Sequence, residues 1–206
     1  MKNIQLHEPY FFSDELKNLN NCVKSGWVST GGQYVKQLEH NISKFTKSKY
    51  SVALNSGTSA LDLSLKAIDI ERNNEIIVPT ITFIAPVNAI LYNNAKPIFM
   101  DVDEFGNIDV KKVEDFLNNE TEFKNNFTIN KKTKNKIRAI IVVHVFGNVA
   151  SIKKLKSICK KKNIKIIEDA SESLGSFFSS SSIKKHSGTF GDIGCISFNA
   201  NKIITT

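Results

Sequence analysis

The chain has 206 residues, 41% of them hydrophobic and 23% charged, which is enough to bury a sizeable core and excludes a disordered or fibrous protein. Its formal charge of +8 arises from 28 Lys and Arg against 20 Asp and Glu, yet only Arg72 and Arg138 are arginines; scattered lysines without arginine forks or aromatic platforms argue against nucleic acid as a partner. Cys22, Cys159 and Cys195 are odd in number, far apart and lack C-x-x-C spacing, so neither a disulfide framework nor a zinc site is suggested.

The first residues, Met1 to Glu15, carry charge and Pro9 where a signal peptide needs an apolar core, so the expected compartment is the reducing cytoplasm. Ser13 is a candidate N-cap with Asp14 and Glu15 in the first turn, Leu16, Leu19 and Val23 share one helical face, and the helix is expected to end near Gly26. Val35, Leu38, Ile42 and Phe45 repeat that stripe, which makes residues 1–48 a helical N-terminal segment. Beyond it, strand candidates at Tyr50–Leu54, Glu75–Val78, Pro97–Asp101, Arg138–His144, Ile164–Glu168 and Gly194–Phe198 are separated by helix candidates at Thr58–Ile68, Phe83–Asn93, Val110–Leu117 and Ser151–Lys162. Alternation of this kind predicts an α/β domain over 49–206, with a mostly parallel sheet sandwiched by helices. The apolar stretch from Ile76 to Tyr92 is interrupted by Pro79, Thr80, Thr82, Pro86 and Asn88, so neither a membrane span nor a membrane partner is expected. Residues 118–136 are polar, rich in Asn and Lys and without apolar periodicity, and read as a long surface insertion; Ser179–Ser182 reads as a solvated loop.

Ligands of open α/β sheets gather outside the carboxyl ends of the strands, where this sequence places several polar residues. Asn55-Ser56-Gly57-Thr58-Ser59-Ala60-Leu61 is a strand-to-helix turn whose glycine and free N–H groups suit a phosphate, although Ser or Thr before a helix is also an ordinary N-cap. No G-x-x-x-x-G-K-[ST] and no G-x-G-x-x-G accompanies it, so P-loop and dinucleotide readings lose support. The strand Ile164-Lys165-Ile166-Ile167 ends in Glu168 and Asp169, which face opposite sides of an extended chain. An aspartate there can hold a proton on a heteroaromatic nitrogen, or it can be a plain helix cap or surface acid. Finally, Gly191 to Phe198 is a strand of small and apolar residues that delivers Ser197 and, five positions later, Lys202. A partly desolvated lysine can serve as nucleophile and base; outside a site it is one more of many lysines.

The order of these motifs, with Gly26-Trp27-Val28-Ser29-Thr30-Gly31, Pro79-Thr80-Ile81-Thr82-Phe83, Asp101-Val102-Asp103, His144-Val145-Phe146-Gly147-Asn148, Glu168-Asp169-Ala170-Ser171-Glu172 and Ser197-Phe198-Asn199-Ala200-Asn201-Lys202, resembles the DegT/DnrJ/EryC1/StrS family of sugar aminotransferases that use pyridoxal 5'-phosphate (PLP), a branch of fold type I. The resemblance implies that Lys202 bonds the cofactor covalently and moves the proton during catalysis. It implies that Asp169 binds the ring nitrogen, that Gly57, Thr58, Ser59 and Ser197 hold the phosphate, that Phe83 stacks on the ring, and that Thr30 and Gly31 line the substrate side. Glu172 stands among the cofactor-binding positions where many relatives have glutamine, Ala200 replaces a frequent glycine and is expected to tighten the turn, and His144 lies near the cofactor without an assigned role. The implied reaction transfers an amino group from L-glutamate to the 4-keto carbon of a nucleotide-linked 4-keto-6-deoxy sugar, for surface glycans, in a cytoplasmic homodimer. The sequence looks most like the legionaminic-acid branch, and Lys202 stands where a dehydratase branch has histidine. By the same resemblance the chain corresponds to the N-terminal part of such an enzyme, without the C-terminal small domain. The competing expectation is a truncated, non-catalytic fragment that at most binds PLP.

Overall fold

The computed structural model describes residues 4, 8–180 and 183–205. Helices α1 (Ser13–Ser25) and α2 (Gln33–Thr46) come first, followed by α3 (Gly57–Ala67), β1 (Glu75–Pro79), α4 (Ala85–Tyr92), β2 (Lys96–Met100) and α5 (Val110–Asn119). Next are β3 (Thr121–Lys124), β4 (Phe127–Asn130), β5 (Lys136–Val143), α6 (Ile152–Lys161), β6 (Lys165–Asp169), β7 (Phe177–Ser180), β8 (Ile183–His186) and β9 (Ile193–Cys195). The parallel strands run β2-β1-β5-β6-β9, so the expected parallel sheet is present.

Side-chain alternation decides how the helices lie on it. Ile76, Val78, Ala139, Ile141 and Ile167 point to the face covered by Leu61 and Leu65 of α3 and Ala89 and Ile90 of α4. Ile77, Ile140, Val142 and Ile166 point the other way, onto Val113 and Leu117 of α5 and Ile152, Leu155 and Cys159 of α6. Because strand residues alternate faces, near-continuous apolar strands of this kind are what a sheet covered on both sides requires. Among the described residues no helix is long and apolar enough to cross a membrane.

Four expectations need correction. Tyr50–Leu54 is not a strand: the segment runs along α2, with the Ser51 hydroxyl donating to the Glu39 carbonyl and the Ala53 N–H donating to Glu39 Oε1 at 2.9 Å. Its alternating pattern suits a ladder, but no strand lies beside it among the described residues. The 118–136 insertion is structured, since β3 and β4 form a hairpin that adds antiparallel to the start of β5. Asn125 and Asn126 make its turn with φ of 50° and 65°, the conformation that two-residue hairpins favour and asparagine tolerates. The hairpin has no apolar periodicity because the face it buries carries Thr121, Thr128 and Asn130, polar residues that bond the Leu117 carbonyl, the Lys162 carbonyl and the Glu75 carboxylate. The N-cap position of α1 belongs to Phe12 rather than Ser13, and the stripe of Leu16, Leu19 and Val23 is exposed. Ser179 and Ser180 close strand β7 of a second hairpin, and residues 181 and 182 of the anticipated loop lie outside the described residues.

Candidate active site

The carboxyl ends of β1, β5, β6 and β9 open into a cleft of about 1470 Å³, lined in part by Gly57, Thr58, Phe83, Asp169, Glu172, Ser197 and Lys202. Residues from four separate sequence regions thus meet at one edge of the sheet.

The turn into α3 is the N-cap that its sequence allows, with N–H groups left over. Ser56 is the N-cap, its Oγ accepting the Ser59 N–H at 3.1 Å, and the Ser59 hydroxyl lies 3.0 Å from the same oxygen. Among the described residues the N–H groups of Gly57 and Thr58 have no acceptor, and they stand at the positive end of the helix, an arrangement suited to an anion. A side chain at 57 would be crowded, because a Cβ there would lie 3.0 Å from Ser197 Cβ, 3.3 Å from its Oγ and 3.5 Å from Ser171 Oγ. Ser59 and the anticipated substrate residues Thr30 and Gly31 do not line the cleft; Gly31 sits in the turn between α1 and α2, against Trp27.

Asp169, the last residue of β6, is buried and receives the Ser171 N–H at 3.1 Å. Burial pushes its carboxyl above the ordinary value, against the downward pull of the Ser171 hydrogen bonds and of the Lys202 charge. Lys202 follows a turn closed by its own N–H to the Asn199 carbonyl at 2.8 Å, in which Ala200 needs no left-handed backbone. The Lys202 Nζ is 3.0 Å from Glu172 Oε1 and 5.9 Å from the centre of the Phe83 ring. The other Glu172 oxygen accepts the Phe146 N–H at 3.1 Å, which holds Phe146 at a positive φ of 50° at the rim. Thr82 lines the cleft as well, and its buried hydroxyl has no partner among the described residues.

His144 and Glu168, which the sequence leaves without roles, are fully buried, with His144 Nε2 2.9 Å from Glu168 Oε2. Two acids ending a short apolar strand are the sequence signal, but the backbone groups that Glu168 meets lie some 20 residues away, which no spacing reveals.

The sequence pattern of the DegT/DnrJ/EryC1/StrS aminotransferase family matches residues 10–206. The chain belongs to this family. GDP-perosamine synthase from Escherichia coli O157:H7 is 36% identical over 206 residues, or 100% of this chain and 51% of that relative. The solved aminotransferase from Psychrobacter cryohalolentis superposes with a TM-score of 0.80 at 29% identity, over 97% of this chain and 46% of its own. The E. coli GDP-4-keto-6-deoxy-D-mannose-3-dehydratase, solved with bound hydrated PLP, superposes with a TM-score of 0.82 at 26% identity, over 98% of this chain and 49% of its own. The chain therefore spans about half the length of the DegT/DnrJ/EryC1/StrS proteins it is similar to.

Proposed function

We propose that this chain is the cofactor-binding part of a PLP-dependent sugar aminotransferase, which moves an amino group from L-glutamate to the 4-keto carbon of a nucleotide-linked 4-keto-6-deoxy sugar. The observation that carries the reading is the meeting of Asp169, the Glu172–Lys202 pair and the Gly57–Ser197 contact in one cleft.

The donor set fits PLP. A cradle that a Cβ would fill, two free N–H groups and the Ser197 hydroxyl suit a phosphate dianion, and the unpartnered Thr82 hydroxyl awaits a polar group. When bound, PLP supplies an electron sink for charge developing on the substrate carbon next to the transferred nitrogen. Asp169 is the residue to hold a proton at the ring nitrogen, for which an anionic partner at fixed distance is needed. Lys202 is the nucleophile and base, and Glu172 orients its Nζ within the cleft. Phe83, with 72% of its surface exposed, offers a ring face on which a flat heterocycle can lie.

On this reading residues 49–206 form the PLP-binding domain and 1–48 a helical arm leading into it. Lysine at 202 favours transamination over the dehydratase chemistry of a structurally similar relative. We place the whole enzyme in the cytoplasm as a homodimer acting in surface glycan synthesis; the exposed apolar face of Leu16, Leu19 and Val23 supports further protein cover.

The decisive experiment is an absorbance spectrum of the chain with added PLP, before and after borohydride, followed by peptide mapping. A visible band that reduction fixes on Lys202 is the expected result. Reduction trapped at another lysine, or a folded chain that gives no band, removes the proposal for this chain.

A further inference from the structure

Glu168 is fully buried and its carboxylate meets four donors. Oε1 accepts the N–H groups of Phe190 at 2.6 Å and Gly191 at 2.5 Å, while Oε2 accepts the Gly188 N–H at 2.8 Å and faces His144 Nε2 at 2.9 Å. His144 Nδ1 accepts the Ala150 N–H at 3.2 Å, a pattern that places the ring hydrogen on Nε2, directed at Glu168. The backbone N–H of His144 donates to the carbonyl of Asp169 at 3.1 Å.

The segment held in this way, 188–191, leads directly into β9, and β9 delivers Ser197 and Lys202. β9 pairs with β6 over three residues, and next to it Asp192 exchanges backbone and side-chain bonds with Ile166 while Lys156 Nζ donates to the Phe190 carbonyl; the N–H groups of 188, 190 and 191 are held by Glu168. The passage is also tight, because a Cβ at Gly191 would come within 2.6 Å of the Ile166 carbonyl oxygen and one at Gly194 within 1.9 Å of the Gly188 carbonyl oxygen. A small shift of 188–191 cannot be absorbed there and must pass to the residues that follow.

We infer that Glu168, braced by His144, is a positioning residue: it fixes the segment 188–191 and thereby sets Ser197 and Lys202 at working distance from Asp169 and the Gly57 turn. It does so from the opposite face of β6 to Asp169 and touches neither cofactor nor substrate. The inference rests on the PLP reading given above.

The test measures PLP affinity and the fraction of PLP that borohydride fixes on Lys202, in folded wild-type chain and in variants. Glu168→Gln keeps the shape but offers one acceptor oxygen in place of two, so two of the four donors lose their partner; PLP affinity is expected to fall at least about tenfold. His144→Leu is expected to weaken binding in the same direction, whereas His144→Gln, which keeps a donor towards Glu168, restores it to within about threefold of wild type. Thr128→Val, which removes a buried hydroxyl in the distant hairpin, serves as a control for general destabilisation and is expected to leave PLP affinity unchanged. If Glu168→Gln fails to fold, hydrogen exchange of the wild-type chain decides: at PLP about 100 times its dissociation constant, local openings at Gly188, Phe190 and Gly191 should slow roughly 100-fold. Wild-type affinity in a folded Glu168→Gln, or PLP-independent local exchange at these amides, overturns the inference and leaves the PLP reading intact. Absence of any Lys202 adduct in wild type removes both.

Discussion

Lys202 Nζ and Glu172 Oε1 lie 3.0 Å apart, with side chains 11% and 34% exposed, so the one lysine delivered by β9 is held by a carboxylate from the loop after β6. This relationship gives one lysine, of a residue type that is abundant in the chain, a fixed direction within the cleft.

Lys202→Ala removes the reacting amine and leaves the Gly57 turn and Asp169 in place. Borohydride trapping of PLP at this position should vanish, while residual reversible binding through the phosphate turn persists at an affinity at least about tenfold weaker. Mass mapping of the reduced protein checks this, and a trapped adduct on another lysine contradicts it.

Asp169→Asn separates stability from function. Burial raises the Asp169 carboxyl above its ordinary value of 3.8, so the folded chain binds this proton more readily than the unfolded chain. The aspartate's contribution is therefore most favourable below pH 3.8 and is lost as pH rises through the folded value. The cofactor-free Asn variant should melt at a higher temperature than wild type at pH 7, with the gap closing in acid, and yet show a weakened PLP spectrum. A lower melting temperature for the variant at pH 7 would refute the account.

His186 gives stability a second pH dependence, with the opposite sign. The ring is buried against Phe45 and Phe177, accepts the Gly175 N–H at its Nε2 and bonds the Ser187 carbonyl through Nδ1. Burial lowers its pKa from 6.5, against the raising effects of the Ser187 bond and of Glu168, with His144 adding to the lowering. The unfolded chain then takes up the proton first, so stability is full above pH 6.5 and declines as pH falls towards the folded value. Melting curves between pH 8 and 5 should show this loss, and His186→Gln should flatten it.

Gly57→Ala adds a methyl group where 3.0 Å separates it from Ser197 Cβ. Because Gly57 is helical and outside the left-handed region, the fold should be retained, while displacement of Ser197 weakens PLP binding by about tenfold. Isothermal titration with PLP reads the change. Unaltered affinity would mean that Ser197 is not part of the phosphate cradle.

The sequence by itself determined the α/β class, because apolar runs at Glu75–Val78, Arg138–His144 and Ile164–Glu168 alternate with helical stripes, and local burial needs of that kind are written in short-range pattern. It also marked the ends of those strands as the place for a site, since Asp169 and Lys202 lie in motifs of fixed spacing. Only the tertiary structure decided how those residues are held. That Tyr50–Leu54 lacks a ladder, that the Asn125–Asn126 hairpin docks on β5, and that Glu168 takes three backbone N–H groups and His144 all depend on partners far away along the chain. Such pairings are set by the closure of the whole sheet, and a linear pattern carries no record of which distant donor a buried carboxylate will meet.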